Sequence, residues 1–320
     1  MRFAGEINDD YFFLDTPLSI VIEQEADVPC DSLTAVFAYR EDFPYINRIY
    51  VLNDIVYDIK AAVQTNEVIF SGIVDETILK SDSRKSEITI YARSLASLLT
   101  DSESSTVTYN DPSFDVIIRE HAQPFGITKK EVCTRKERSG TFSVKKGSSH
   151  YKVIQRFCRE FLSTTMRIDH TGTIISDVFS SCSPVFFDNR SGVPFDKIIV
   201  SDNRYTKISE IMVYDANGFC MSVKNPECEG TEIMRIRCLN LMESSTGSAS
   251  DADRIIKASN RKSFTIQLEC PKCMLNTIGS PASVNAPWCE NRVLYIEKIK
   301  YIFDNKGERT SIKLTSRGDE

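Results

Sequence analysis

Apolar and polar residues alternate at every second position along much of this chain, and the alternation gives way in the middle to a three- and four-residue apolar repeat. A period of two puts one set of side chains on each face of a β-strand, whereas a period near 3.6 gathers them on one face of a helix. "YINRIYVLNDIVYDIKAAV" and "EVIFSGIVDETIL" therefore read as long strands, and "FSGIVDETILKSDSRKSEITIYARSL" as a hairpin with a charged turn, followed by a short helical turn at 94–99. In "YNDPSFDVIIREHAQPFGI" the expected N-cap is Asp111, with Pro112 at the first helical position. Phe114, Ile117, Ile118 and His121 share one face until Pro124 stops the helix. "KGSSHYKVIQRFCREFL" is a second helix, capped by Ser148 or Ser149, with Val153, Ile154, Phe157, Cys158 and Phe161 on its apolar face. "TMRIDHTGTIISD" then predicts a hairpin turning near His170 to Gly172.

Beyond this point the strand pattern returns. "KISEIMVYDANGFCMSVK" predicts a hairpin about Asn217 and Gly218, and "SASDADRIIKASNRKSF" a short helix capped near Ser250. "RVLYIEKIKYIFDNKGERTSIKLTSR" closes the chain as a hairpin centred on Asn305 to Gly307. Adding 224 to positions in the earlier hairpin carries Ile78 to Ile302, Leu79 to Phe303, Ile88 to Ile312, Ile90 to Leu314 and Arg93 to Arg317 without a gap. Two amphipathic hairpins share apolar positions on general grounds, so this alignment leaves internal duplication and simple similarity both open. The pattern divides the chain into an all-β part (1–102), a small α+β part (103–188) and a second β part with a short helix (189–320).

Composition adds mainly exclusions. A chain of 320 residues with 41% hydrophobic and 26% charged side chains has the make-up of folded globular protein. Its apolar runs fall far short of the roughly 20 residues a membrane-spanning helix needs. The N-terminus "MRFAGEINDDYFFLDT" lacks the pattern of a secretory signal, so synthesis and retention in the bacterial cytoplasm are expected, with the 10 cysteines reduced. A net charge of -6 and the lack of a basic block interleaved with aromatics argue against specific nucleic-acid binding.

Candidate chemistry is thin. Cys270 and Cys273 in "CPKC" have metal-ligand or redox spacing, and Cys289 could supply a third thiolate, but no second CxxC or HxxxH completes a tetrahedral site. Ordinary reduced thiols are the favoured reading, with no metal or cofactor expected. His121 lies on the apolar face of a predicted helix and reads as a core histidine; His150 and His170 read as solvated. Adjacent acidic pairs such as Asp75 and Glu76 would point to opposite faces of a strand and cannot share a scissile bond. No phosphate-loop or dinucleotide glycine pattern occurs. The single tryptophan, Trp288 in "APWCE", reads as packed near the second β part. No enzyme is expected.

The order of elements carries more information than any of these residues. A β part ending "GIVDETILKSDSRKSEITIYARSLASLLTDSE", then "PSFDVIIREHAQPFGI", then "VKKGSSHYKVIQRFCREF", then a closing "YIEKIKYIFDNKGERTSIKLTS" resembles the baseplate hub proteins of contractile tails. These are the late control protein D type of phages, with relatives in phage-like bacteriocins. The resemblance spans nearly the whole chain, and "YARSLASLL", "SFDVIIREHAQPFGI" and "KGSSHYKVIQRFC" are its most specific parts. It implies a mainly β fold with an α+β insertion, two β-barrel domains flanking a small α+β domain. It also implies a homotrimer that joins a six-fold tail tube protein to a three-fold central spike protein among other baseplate proteins, within a virion or tail-like particle after release. Ile78, Ile88, Ile90 and Arg93 would then belong to the closing hairpin of the first barrel, and Ile302, Ile312, Leu314 and Arg317 to that of the second. The alternatives from other classes are a hub-associated cell-wall hydrolase, which needs a catalytic constellation, and a carbohydrate-binding module, which needs exposed aromatic platforms.

Overall fold

The computed structural model describes the chain apart from residues 1, 9, 59–62, 132–138, 177–183, 216–217, 241–248, 272–277, 290–291 and 317–320, and apart from the side chains of 53–67 and 249–251. The protein is mainly β with minor helices, in two compact units. Unit 1 comprises Met1–Ser180 and Lys298–Thr310; unit 2 comprises Ser181–Pro271, Thr277–Glu297 and Ser311–Glu320.

Unit 1 begins with strands β1 (Arg2–Ile7), β2 (Asp10–Leu14), β3 (Ser19–Glu25), β4 (Ser32–Ala38), β5 (Arg48–Asp58), β6 (Val63–Ser81) and β7 (Ser86–Ser94). They pair antiparallel in the order β3-β4-β7-β6-β5-β1-β2, and Lys298–Phe303 pair along the other side of β3. The two-residue alternation decides what faces inward: Ile20 and Ile22 of β3, Leu33, Ala35 and Phe37 of β4, and Ile90 and Ala92 of β7 form one core with Phe3, Ile49, Val51 and Phe70. The outer positions of β3 carry Glu23 and Glu25, which meet Lys300 at 2.7 Å and Lys298 at 3.1 Å across the ladder. Gly72 of β6 sits so close to β7 that a Cβ there would lie 2.6 Å from the Arg93 carbonyl oxygen.

The rest of unit 1 is α1 (Ala96–Asp101), β8 (Thr108–Asn110), α2 (Phe114–His121), β9 (Lys130–Glu131), β10 (Thr141–Ser143), α3 (His150–Phe157), β11 (Met166–Ile168) and β12 (Ile174–Ser176). The apolar face expected for α2 is the buried one, Phe114, Ile117, Ile118 and His121. Its cap is different: Ser113, not Asp111, accepts the Val116 N–H at 3.4 Å, because Asp111 instead receives the Gly140 N–H and ends the short β8. Ser149 caps α3 by accepting the Lys152 N–H, and the helix runs on as a π-turn through Cys158–Leu162, ended by Ser163 at φ 53°. Phe142, Phe157 and Phe161 pack ring to ring, with centroids 4.8 to 5.6 Å apart, at the centre of this second core. One buried ion pair joins the sheet to this core within unit 1. Arg167 of β11 donates to both carboxylate oxygens of Asp31, at 2.6 and 2.9 Å, with both side chains at most 3% exposed.

Unit 2 comprises β13 (Val185–Phe187), β14 (Lys197–Asp202), β15 (Glu210–Asp215), β16 (Gly218–Lys224), β17 (Ile236–Asn240), α4 (Ala249–Ser263), β18 (Phe264–Cys270) and β19 (Pro281–Val284). To it also belong residues 294–297 of β20 (Leu294–Asp304) and 311–315 of β21 (Gly307–Thr315). β14 pairs with β18 and β18 with β21; β19 lies between β13 and β20; and β16-β15-β17 form a separate three-stranded sheet. Ile211 and Val213 of β15 pack with Ala252 and Ile256 of α4, so one face of that small sheet is covered by the helix. The expected hairpin about Asn217 and Gly218 is the β15–β16 pair with Gly218 at φ 114°; Asn217 lies outside the described residues. β2 in unit 1 and β14 in unit 2 each have a single strand neighbour, so neither sheet closes on itself among the described residues.

Candidate interaction surfaces

The two hairpins singled out by sequence lie where their alternation places them. β6 and β7 pair Ile78 with Thr89, Leu79 with Ile88 and Thr77 with Ile90. Ile88 and Ile90 are in the core, Ile78 is half-buried, and Leu79 is exposed. In β20 and β21, Ile312 and Leu314 are fully buried and Ile302 is half-buried, so the offset of 224 carries the burial of Ile78, Ile88 and Ile90 onto their counterparts, but not that of exposed Leu79, whose counterpart Phe303 is half-buried. It does not carry the turn. The first hairpin closes over residues 82–85, where Asp82 accepts the N–H groups of Arg84 and Lys85 at 2.7 and 3.0 Å; the second closes over Asn305 and Lys306, with Gly307 at φ 96°. Arg93 forks between Asp75 and Asp101, at 2.6 Å to each, which raises its pKa further and holds the Asp101 carboxyl below the usual range. Arg317 lies outside the described residues.

Two of the three cysteines singled out by spacing are described, and both are buried. Cys270 of β18 is 1% exposed, and burial, with the nearby Asp196 carboxylate, pushes its pKa up to about 11. Cys289 is buried too, its thiol also pushed up by burial and donating to the Pro287 carbonyl at 3.5 Å. Burial thus favours the protonated thiol, and each of these two cysteines would have to lose its proton to act as a nucleophile or ligand. Cys273 lies outside the described residues, and no group of three or more His, Cys, Asp or Glu among the described residues is placed to hold a metal ion.

The histidines converge in a way the sequence did not suggest. His121 ends α2 and His150 begins α3, and their Nδ1 atoms are 3.0 Å apart. The Tyr109 hydroxyl donates to Glu120 at 2.6 Å, so its oxygen accepts from His121 Nε2, 3.0 Å away. Neutral His121 is then protonated on Nε2, and its Nδ1 accepts the proton of His150. Burial, and the neighbouring His150, lower the His121 pKa to about 4; burial lowers His150 as well. His150 is half-buried against the Phe125 ring, 4.9 Å between centroids, rather than solvated, because α3 starts inside the helical core; His170 is half-buried too.

The conspicuous surface feature is in unit 2. Trp288 is 82% exposed, not packed, and its backbone is in the left-handed region at φ 71°. Hydrogen bonds fix the turn beneath it: Asn285 N–H to Phe187 O, Ala286 N–H to Val284 O, and Cys289 N–H to Ala286 O, with buried Cys289 as the anchor. Phe186 of β13 pairs with Ser283 of β19, and Ala282 of β19 pairs with Leu294, the residue after Val293. Phe186 and Val293 are 45% and 48% exposed, and Trp288 stands on the loop that joins β19 to β20. Beside it Arg292 stacks over Phe264, 4.1 Å to the ring centroid, on the wall of a mixed-charge cavity of about 880 Å³ that Lys207 and Glu227 also line. In unit 1 the edge strand β2 exposes Tyr11 and Phe13 by 66% and 67%. The signal that could have found Trp288 is the turn chemistry of "NAPWCEN", where a proline and a buried cysteine flank the aromatic.

The sequence matches no protein-family model and no curated protein. The fold is shared over the whole chain with phage tail proteins. The 43 kDa tail protein of prophage MuSo2 from Shewanella oneidensis aligns at a TM-score of 0.79 and 15% identity, covering 99% of each chain. A tail protein from Neisseria meningitidis aligns at 0.76 and 14% identity, covering 99% of this chain and 97% of the other. An Escherichia coli component of the type VI secretion system, itself similar to T4 bacteriophage tail proteins, aligns at 0.54 and 11% identity, covering 93% and 73%. No helix among the described residues is long and apolar enough to cross a membrane.

Proposed function

We propose that this chain is the structural hub of a contractile phage tail or phage-tail-like particle, a homotrimer that joins the six-fold tail tube to the three-fold central spike. The observation that carries the reading is the whole-length fold shared with tail proteins, at 97 and 99% of those chains as well as of this one. A partial match would have allowed a tail-like module fused to another activity, whereas these matches leave little of the chain for one.

Within this reading the two hairpins at offset 224 close two β-barrels, in parts 1–102 and 189–320, that flank the α+β part at 103–188. Ile88 and Ile90, with Ile312 and Leu314, supply the barrel interiors; Ile78 and Ile302 lie on the opposite faces of their strands, open to a neighbour, and Arg93 and Arg317 fix the ends of the closing strands. Three chains then present six barrels, which lets a three-fold object match a six-fold one, since a closed ring needs the same patch repeated at each contact. The work is association, not chemistry. The chain would assemble in the bacterial cytoplasm and leave it as part of the particle, in contact with tube, spike and other baseplate proteins. Light scattering on the purified chain, alone and co-expressed with its tube and spike proteins, is expected to give a trimer that binds both. A chain that stays monomeric with either partner, or that cleaves peptidoglycan, would overturn the proposal.

A further inference from the structure

Trp288 combines two features that a folded chain tends to avoid. Leaving an indole 82% exposed forgoes the burial of the largest apolar side chain, and holding a non-glycine residue at φ 71° strains the backbone. Both are maintained by a turn that the buried Cys289 and three backbone hydrogen bonds over-determine. A rigid, outward aromatic of this kind is the usual anchor of a protein interface, because little conformational freedom remains to be lost on binding. Phe186 on β13 and Val293 ahead of β20 are exposed hydrophobics on the segments that flank this turn, and Arg292, in the same loop, has no carboxylate partner among the described residues.

The chain itself carries a complementary surface. Strand β2 is an edge with one neighbour, it exposes Tyr11 and Phe13, and carboxylates stand at its two ends, Asp10 and Asp15. Asp10 has no ion-pair partner among the described residues, and Asp15 meets Arg40 only at 3.4 Å with both side chains well exposed, a contact worth little. Docking the Trp288 patch on its own copy about a two-fold axis would turn Arg292 toward Arg292. Docking it on β2 of the next copy sets aromatic against aromatic and guanidinium against carboxylate, and a head-to-tail contact of that kind forms a ring where its rotation closes.

We infer that the Trp288 patch of unit 2 receives the β2 edge of a second copy of this chain, with Trp288 as anchor and Arg292 pairing with Asp10 or Asp15. This inference rests on the trimeric reading above and specifies the contact that holds the trimer. Because Trp288 is the only tryptophan in the sequence, tryptophan emission reports on this one position. In the full-length chain, assembly on raising concentration is expected to shift Trp288 emission to shorter wavelength and protect it from acrylamide. Trp288→Ala and Arg292→Asp should each weaken assembly at least tenfold, by sedimentation equilibrium, with the circular dichroism spectrum unchanged. Asp10→Arg combined with Asp15→Arg should weaken it likewise, and combining those changes with Arg292→Asp in one chain should restore it.

A wild-type trimer whose Trp288 stays open to acrylamide, or that the substitutions leave intact, would overturn this contact while leaving the hub reading in place. A wild-type chain that never trimerises, even with its tube protein, would overturn both. A Trp288 emission change on adding cell-wall oligosaccharides, with none on assembly, would overturn the contact and assign the patch to carbohydrate.

Discussion

The Asp31–Arg167 pair is where a single substitution should tell most about how unit 1 holds together. Asp31 precedes β4 and is tied to β7, its N–H to Ser94 Oγ at 3.1 Å and its carbonyl to the Ser94 N–H at 2.9 Å; Arg167 belongs to β11 in the helical part. Burial pushes the Asp31 carboxyl up, against the pull of the guanidinium that grips both of its oxygens and of Gln24, which donates at 3.2 Å. Two buried charges recover little more than their desolvation from each other, but removing one strands the other, at about 3–5 kcal/mol. Asp31→Asn keeps the shape and the Gln24 contact yet leaves Arg167 charged, and Arg cannot shed its proton, so it should cost the full amount. Arg167→Met leaves a carboxyl that can take up a proton, so its cost should shrink as pH falls: the folded-state pKa then lies above the unfolded one, the native state binds more protons, and stability falls as pH rises. Asp31→Asn with Arg167→Met removes both charges and should cost less than either single change would suggest by addition, with a coupling of about 2–3 kcal/mol. Thermal unfolding at fixed protein concentration, at pH 7 and pH 5, measures this; about 3–5 kcal/mol corresponds to a fall of roughly 6–20 °C for a domain of this size. Single variants within about 1 kcal/mol of wild type, or a double variant as costly as the sum, would refute the reasoning.

Other expectations follow from local geometry. Gly72→Ala should cost about 1–3 kcal/mol in denaturant unfolding, because its Cβ would sit 2.6 Å from the Arg93 carbonyl and force β6 and β7 apart. Ile88→Asp and Ile312→Asp place a carboxylate at sites 7% and 0% exposed, and each should cost more than about 4 kcal/mol by the same assay; full stability of either would remove that hairpin from the core. The lowered His121 pKa, about 4 against an unfolded value near 6.5, means the unfolded chain binds more protons as pH falls through this window. Stability should therefore drop between about pH 6.5 and 4, by at most about 3 kcal/mol and roughly half that after solvent screening, and His121→Gln should flatten the melting temperature against pH. Trp288→Gly should leave the monomer's melting temperature equal or higher, since glycine relieves the left-handed backbone and no buried contact is lost.

What was legible in the sequence is what a period reports. The helical faces of α2 and α3 and the inward positions of β7 and β21 follow from spacing alone, because burial in a strand or helix depends on which face a residue occupies. The α2 cap was misassigned to Asp111 because Asp and Ser both cap well, and the choice turned on a long-range bond from Gly140 that spacing cannot reveal. The buried Asp31–Arg167 pair was out of reach for the same reason: the two residues are 136 apart, and each alone looks like ordinary surface charge. The His121–His150 pair required knowing that the end of α2 meets the start of α3.

Trp288 is the instructive failure. The expectation that it packs inward applied a sound average, that large aromatics bury, to a position where the chain does the opposite. Under the hub reading proposed above, the chain keeps some of its apolar surface outside its own core, since that surface is completed only in the assembly. For such a chain the residues that violate the folding pattern are the better guide to function. The exposed turn at Trp288 and the exposed edge at Tyr11 and Phe13 are two violations of one kind, in units 2 and 1 respectively. Substituting in either surface should leave the monomer's stability where it was and change only its oligomeric state, whereas Ile88, Ile312 and Asp31 should do the reverse and unfold the chain first.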